Sequence, residues 1–169
     1  MFQPYDRAES VPQAARQEWM ALLARAPQTL LDEALTGHAA MQPQWLRRPE
    51  TGLMMVQGRA GGTGERFNLG EVTVTRCALR LAQAGSQAPV GVAYVLGRNH
   101  RQAHLAALAD ALLQDPTQRP DLELSLLTPV RQHLARQQAQ RQERAHTTKV
   151  DFLTVAREAG DAEEEGEEA

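Results

Sequence analysis

Two runs decide how this chain folds: Val72-Thr73-Val74-Thr75-Arg76-Cys77-Ala78-Leu79-Arg80-Leu81, then Val90-Gly91-Val92-Ala93-Tyr94-Val95-Leu96-Gly97. The first is β-branched at its start. Its positions Cys77, Leu79 and Leu81 alternate with Arg76 and Arg80, the period-two signature of a strand with one buried face. In the second, Val90, Val92, Tyr94 and Leu96 share one face, and Gly91, Ala93 and Gly97 leave the other face shallow. A shallow strand face lets a helix or another backbone approach closely. Residues 85–89 read as the loop between the runs. Asn99 then offers an N-cap for a helix reaching about Gln114, before Pro116, with Leu105, Leu108, Ala109 and Leu112 as its apolar stripe.

Upstream, residues 53–59 are a short strand candidate, followed by the glycines Gly61, Gly62 and Gly64. Residues 65–68 resume an extended pattern, and Leu69-Gly70 reads as a second turn. Pro43 and Pro49 bracket a loop or edge segment that carries Trp45. Earlier still, Ser10, Pro12 and Gln13 make a helix start. Ala15, Trp19, Leu22, Leu23 and Ala26 recur at helical spacing, and Pro27 stops that helix. A second helix over 29–35 is expected to end at Gly37. Downstream, residues 128–144 form a polar helix whose apolar content (Val130, Leu134, Ala135, Ala139) is too thin for a core element, so it extends outward or packs on something else. Residues 150–159 are a short amphipathic stretch.

This order of helices, turn-linked strands and further helices predicts an α+β fold. It consists of a small antiparallel sheet of three to four strands packed against helices, an extended polar C-terminal helix and a disordered acidic tail. Residues 1–10 are read as an N-terminal extension, 11–159 as a single α+β domain and 160–169 as the tail.

Of 169 residues, 42% are hydrophobic but only 4% aromatic, so the core is aliphatic. A chain of this length buries roughly 70% of its unfolded surface without covalent staples. One cysteine, Cys77, excludes an intrachain disulfide framework and fits a reducing compartment. The longest apolar run, 89–96, is far short of the ~20 residues of a membrane span. The N-terminus lacks a secretory h-region. A cytoplasmic protein is expected. The net charge of −3 conceals an asymmetry, because six acidic residues crowd into 161–169 and the rest of the chain is basic. Arg131, Arg136, Arg141, Arg144 and Lys149 face only Glu143 over 131–149. Such a run is usually a solvated helix face, and otherwise a patch for an anionic ligand or acidic partner. No aromatic residues are interleaved for base stacking, so nucleic acid is not an expected partner.

Two constellations hold candidate site residues. In Arg59-Ala60-Gly61-Gly62-Thr63-Gly64-Glu65-Arg66, glycine backbone could face an anion that Arg59 and Arg66 neutralise. The phosphate-loop and dinucleotide signatures both fail here, and spacing alone favours a β-turn whose glycines supply positive φ. The second group is Arg98, His100 and His104. The histidines, four apart, share one side of a helix start, which is an anion-friendly position. A zinc site needs further ligands, and Asp110 projects about 120° away from His104 on an ideal helix. Their neighbours Ala107 and Ala111 indicate a close-packed helix contact. Cys77 falls on the buried face, where thiols are inert, and no serine lies in a nucleophile elbow. Glu50, Glu65 and Glu71 could converge at the turns, but spacing does not place them. The residues declare no catalytic, cofactor-binding or metal site.

Several segments carry a resemblance. They are Arg16-Gln17-Glu18-Trp19-Met20, Glu50-Thr51-Gly52-Leu53, the block running from Arg59-Ala60-Gly61-Gly62-Thr63-Gly64-Glu65-Arg66 through Phe67-Asn68-Leu69-Gly70-Glu71-Val72 to Arg76, then Tyr94-Val95-Leu96-Gly97-Arg98, His104, Asp110-Ala111-Leu112 and Val150-Asp151-Phe152. In these the chain resembles the PhnG subunit family of the bacterial carbon–phosphorus lyase core complex, over most of 16–156. The resemblance implies PhnH, PhnI and PhnJ as partners, in an assembly with duplicate copies of each, and PhnL as an accessory protein. It implies a system that displaces adenine from MgATP with an alkylphosphonate, giving α-D-ribose 1-alkylphosphonate 5-triphosphate. Nucleosidase-like activity is then expected in PhnI and iron–sulfur chemistry in PhnJ. This chain becomes a subunit of a transferase, not catalytic alone and binding no cofactor by itself. A lone cysteine agrees, since it cannot hold a four-cysteine cluster. Arg59, Gly61, Gly62, Gly64, Glu65, Arg66, Arg98, His100 and His104 are then candidate phosphate or interface contacts. The alternative is a free-standing anion or nucleotide-binding module using the basic helix around 131–144.

Overall fold

The computed structural model describes residues 13–38, 41–81 and 88–147. Helices α1 (Gln13–Leu23) and α2 (Gln28–Ala34) lead to strands β1 (Pro43–Arg59), β2 (Arg66–Leu81) and β3 (Val90–Leu96). Helix α3 (His100–Leu113) follows, then α4 (Arg119–Leu122), a π-type turn (Glu123–Leu127) and α5 (Thr128–Thr147). The sheet is antiparallel throughout, in the order β1-β2-β3. This is the expected α+β architecture with three strands. The helix start at Ser10 and Pro12, the stretch 150–159 and the acidic tail lie outside the described residues.

Asn99 caps α3 as expected, its side chain accepting from the Gln102 backbone N–H at 3.0 Å. The helix crosses the shallow face of β3. A Cβ built on Gly91 would lie 1.9 Å from the Ala107 carbonyl oxygen and 2.8 Å from the Ala111 Cβ, so only hydrogen at position 91 allows this approach. The four expected stripe residues of α3 are buried, and so is every other residue from Ala103 to Leu113 except the half-buried His104. The helix is an axle between layers: the sheet lies on one side, α1 and α2 on the other. Cys77, Leu79, Ala93 and Val95 from the sheet join Trp19, Leu23, Leu31, Leu126 and Val130 around it in one aliphatic core.

A buried carboxylate pins these layers. Asp110 is fully buried on α3, and its oxygens accept from the Arg16 guanidinium (2.7 and 3.2 Å), Trp19 Nε1 (2.8 Å) and the Val92 backbone N–H (2.9 Å). Arg16 also donates to the Val90 carbonyl at 2.9 Å, and Arg119 lies over the Trp19 ring at 5.7 Å. Residues 94 positions apart are thus joined. A buried charge is tolerated only when paired and hydrogen-bonded, and this one has four donor contacts from three groups.

Two local expectations are corrected, and for the segment between Pro43 and Pro49 the edge alternative holds over the loop. Leu69-Gly70 is not a turn but the interior of β2, where Leu69 is the extra residue between the pairs Val56↔Gly70 and Gln57↔Asn68. Gly70 has φ 146°, which a bulge accommodates as readily as a turn does. The segment bracketed by Pro43 and Pro49 is strand, the first part of β1, with register shifts between Trp45 and Arg47 and between Arg47 and Glu50. Proline is tolerated there because β1 is an edge strand. Finally, α2 stops at Ala34, and a 3₁₀ turn over Thr36–His38, closed by His38 N–H to the Leu35 carbonyl at 2.9 Å, carries the chain past Gly37.

The polar helix α5 leaves the core after Leu134, which is half-buried against it, and is exposed beyond. Its first arginine, Arg131, pairs with Glu123 and, at 3.3 Å, with Glu18.

Replacing Gly91 with alanine is expected to cost at least about 3 kcal/mol, because backbone rather than a flexible side chain blocks the new methyl group. Asp110→Ala is expected to cost about 2–4 kcal/mol, chiefly by leaving the Trp19 and Val92 N–H groups dry. Urea denaturation checks both, and a wild-type midpoint in either variant contradicts the packing described.

Candidate functional site

The candidate residues fall into two places. The first is the tip of a long β-ribbon. Strand β3 ends opposite Val74, so β1 from Leu53 and β2 back to Arg66 continue as a two-stranded arm, with no third strand among the described residues. At its end Ala60–Gly62 form a 3₁₀ turn in which Gly61 and Gly62 take φ 59° and 81°. The Gly64 N–H closes the turn on the Ala60 carbonyl at 2.9 Å. The turn reading of the glycines is therefore correct. Arg59 and Arg66 are paired in register directly across the two strands. Arg59 donates to the Gly64 carbonyl at 3.1 Å, and among the described residues no carboxylate, Glu65 included, forms an ion pair with either arginine. With Gln57, Gly58 and Gly62 they line an open concavity of about 530 Å³.

The second place is the arm's base, under the start of α3. His100 Nε2 lies 2.9 Å from Thr51 Oγ1, Thr51 Oγ1 lies 3.2 Å from Thr75 Oγ1, and Thr75 donates to the Gly97 carbonyl at 2.7 Å. Only one direction satisfies the chain. A carbonyl can only accept, so Thr75 gives its proton to Gly97, Thr51 donates to Thr75, and His100 donates from Nε2. One turn on, the His104 ring packs on Trp45 with centroids 4.9 Å apart. Burial, followed by the charge of Arg101, pushes His104 below the ordinary imidazole value. His104 also lines a cavity of about 330 Å³ with His38, Asp32 and Arg101, and His38 Nδ1 and His104 Nε2 are both buried there without a partner among the described residues. The ion pair of Arg101 with Asp32 holds that carboxyl below its usual range. Arg98, beside Gly97 with its φ of 90°, is exposed.

The two places do not form one site. From Thr51 to Arg59 the arm spans roughly 25 Å at ~3.3 Å per residue. Nor do the glutamates converge. Glu50 is held by Arg47 and by Arg76 (2.7 Å), which lower its carboxyl pKa, whereas Glu71 sits opposite Met55 further along the arm and Glu65 at its tip. Burial pushes the Cys77 thiol up to about 11, which leaves it inert. Among the described residues no group of three or more His, Cys, Asp or Glu side chains is placed to hold a metal ion. No helix among them is long and apolar enough to cross a membrane.

Sequence reasoning missed the arm itself. Leu53 (65% exposed), Met55, Phe67 and Leu69 (62%) stand in solvent along it, although nothing in their hydrophobicity distinguishes them from core residues. Leu69 lies over Gly58, where an added Cβ would come within 2.8 Å of its Cδ1. The signal available was the length of apolar strand on either side of the glycine turn, more than a three-stranded sheet of this size covers.

The depressed pKa of His104 has a stability consequence. Its neutral form is favoured in the folded state, so its contribution is complete above the unfolded value of about 6.5 and is lost as pH falls below that toward the folded value. His104→Phe, which keeps a ring against Trp45, is expected to flatten the fall in thermal midpoint between about pH 7 and pH 5. Superimposable pH profiles for the two proteins contradict this.

Comparison with known proteins places these features in a family. Residues 14–158 match the model of the family described as phosphonate metabolism protein PhnG. A curated protein of Rhizobium meliloti (strain 1021), alpha-D-ribose 1-methylphosphonate 5-triphosphate synthase subunit PhnG, is 40% identical over 147 residues, which is 85% of this chain and 90% of that one. The match takes in the Arg16–Asp110 clasp, the ribbon with its glycine turn and the capped start of α3, and the chain belongs to the PhnG family of phosphonate metabolism proteins.

Proposed function

We propose that this chain is a structural subunit of an α-D-ribose 1-methylphosphonate 5-triphosphate synthase, working in the carbon–phosphorus lyase system and not catalytic alone. The reaction forms a bond from a phosphonate oxygen to C1′ of the ribose as the bond from C1′ to adenine breaks, with MgATP as substrate. The name of the Rhizobium relative supports the assignment to this synthase. The partners are proteins of the PhnH, PhnI and PhnJ types, with PhnL as accessory and the cytoplasm as the setting.

One observation carries the subunit role: the β1–β2 arm. An isolated two-stranded ribbon is marginal in water, and here, among the described residues, neither edge has a third strand while Leu53, Met54, Met55, Phe67 and Leu69 are exposed on it. Such an arm suits docking on another polypeptide, which would cover its apolar side chains and pair its edges. His100, through Thr51, and His104, against Trp45, then brace the arm against α3, with Arg98 exposed beside them. The rival reading, a free-standing anion module working through α5, has less support, because Arg131 already pairs with Glu18 and Glu123.

The test is co-purification. Changing Phe67 and Leu69 together to glutamate is expected to leave the thermal midpoint within about 2 °C, since surface changes are usually worth less than ±0.5 kcal/mol, and to abolish recovery of the other subunits. Arg136→Glu on α5 is the matched control and is expected to co-purify normally. Undiminished recovery with the glutamate variant removes the arm from the interface. A wild-type chain that recovers no other subunit removes the subunit role altogether.

A further inference from the structure

The tip of the arm presents a charge arrangement that the fold does not need. Like charges directly opposite one another in an antiparallel pair repel, and Arg59 and Arg66 are such a pair. The obvious intramolecular remedy is absent, since Glu65, next in sequence to Arg66, forms no ion pair with either arginine among the described residues. Elsewhere on this surface arginines do find carboxylates: Arg47 and Arg76 share Glu50, Arg101 takes Asp32, and Arg131 takes Glu123. Arg59 and Arg66 have no such ion pair among the described residues, and they stand directly opposite each other.

Its surroundings are also shaped. The two guanidinium-bearing residues line an open concavity of about 530 Å³ with Gln57, Gly58 and Gly62, and at Gly62 the space where a side chain would stand is open. Gly61 and Gly62, both at positive φ, fold the backbone back at the rim. Gln57 is tied to Asn68 across the strands at 3.1 Å, which fixes the register just below the arginines. The result is a pair of five-donor forks, held on neighbouring strands, open to solvent and without a counter-charge among the described residues.

We infer that the arm tip is a polyphosphate-binding site in which Arg59 and Arg66 clamp adjacent phosphoryl groups of a 5′-triphosphate chain. Guanidinium forks match phosphate oxygens bidentately, and two on opposite strands suit a chain of phosphoryl groups better than a single phosphate. The shared chemistry is the triphosphate, which the nucleotide substrate and the ribose triphosphate product of the proposed reaction both carry. The choice of a triphosphate rests on the proposed function, whereas the requirement for an anion rests on the arginine pair alone. No bond is made or broken at the tip. Its arginines are binding residues, some 25 Å along the ribbon from the histidines at its base.

The experiment is titration of inorganic tripolyphosphate into the full chain and into the assembled complex, followed by calorimetry at low and at physiological ionic strength. Arg59→Gln and Arg66→Gln are each expected to weaken binding about tenfold, with Arg136→Gln unchanged and affinity falling as salt rises. Adenosine, which lacks phosphates, is expected not to compete, whereas ATP is. Thermal melting of each variant shows that the exposed tip changes leave the fold intact. Equal affinity in all variants overturns the site, because binding would then be general surface attraction. Absence of tripolyphosphate binding in both wild-type preparations, with Arg66→Gln disrupting assembly, also overturns it and gives the arginines to a carboxylate on a neighbouring subunit. Co-purification of the wild-type chain, scored separately, tells failure of this site from failure of the subunit assignment.

Discussion

Asp110 is charged, wholly enclosed and placed mid-helix, three properties that ordinarily count against a residue. Its position becomes favourable only when Arg16, Trp19 and the amide of Val92 all arrive, and these come from α1 and β3. Each of those elements is then fixed in rotation as well as in distance. Trp19 must turn its indole N–H inward, which presents its ring to Arg119 at the start of α4. Apolar packing alone would tolerate small slides of α1 over α3, because alanine and leucine are interchangeable neighbours. A four-contact carboxylate does not tolerate them. Gly91 adds the complementary restriction by setting how closely the helix may lie on the strand.

The central unit was legible because its signals are local. The alternation of Val90, Val92, Tyr94 and Leu96 with smaller residues, and the capping geometry of Asn99, both operate over a few residues. The clasp on Asp110 was not legible, since its partners lie up to 94 positions away and no local pattern links them. Leu69-Gly70 misled for a definite reason: glycine after a leucine serves a turn and a bulge equally well, and only the register of the opposite strand distinguishes them. Pro43 and Pro49 left loop and edge strand both open, because their meaning depends on whether a strand lies at the sheet edge.

For the candidate site, sequence reasoning named the residues without placing them relative to one another. Arg59 and Arg66 look like neighbours of a turn in the sequence and prove to be cross-strand partners. Arg98, His100 and His104 belong to the root of the arm, where His100 closes a hydroxyl relay to Gly97 through Thr51 and Thr75. Rigidity at the root and openness at the tip are complementary properties in an element that reaches away from its own core.

The ribbon's uncovered edges have a consequence for how such a protein must be made. On the proposed subunit role, a copy without its partners would display, among the described residues, two rows of unpaired backbone donors and acceptors beside bulky apolar side chains, a surface onto which a second such copy could zip. Matched synthesis of all components, with capture soon after each emerges, would keep the population of solitary chains small. In that sense the geometry of one hairpin bears on gene dosage and on the timing of translation.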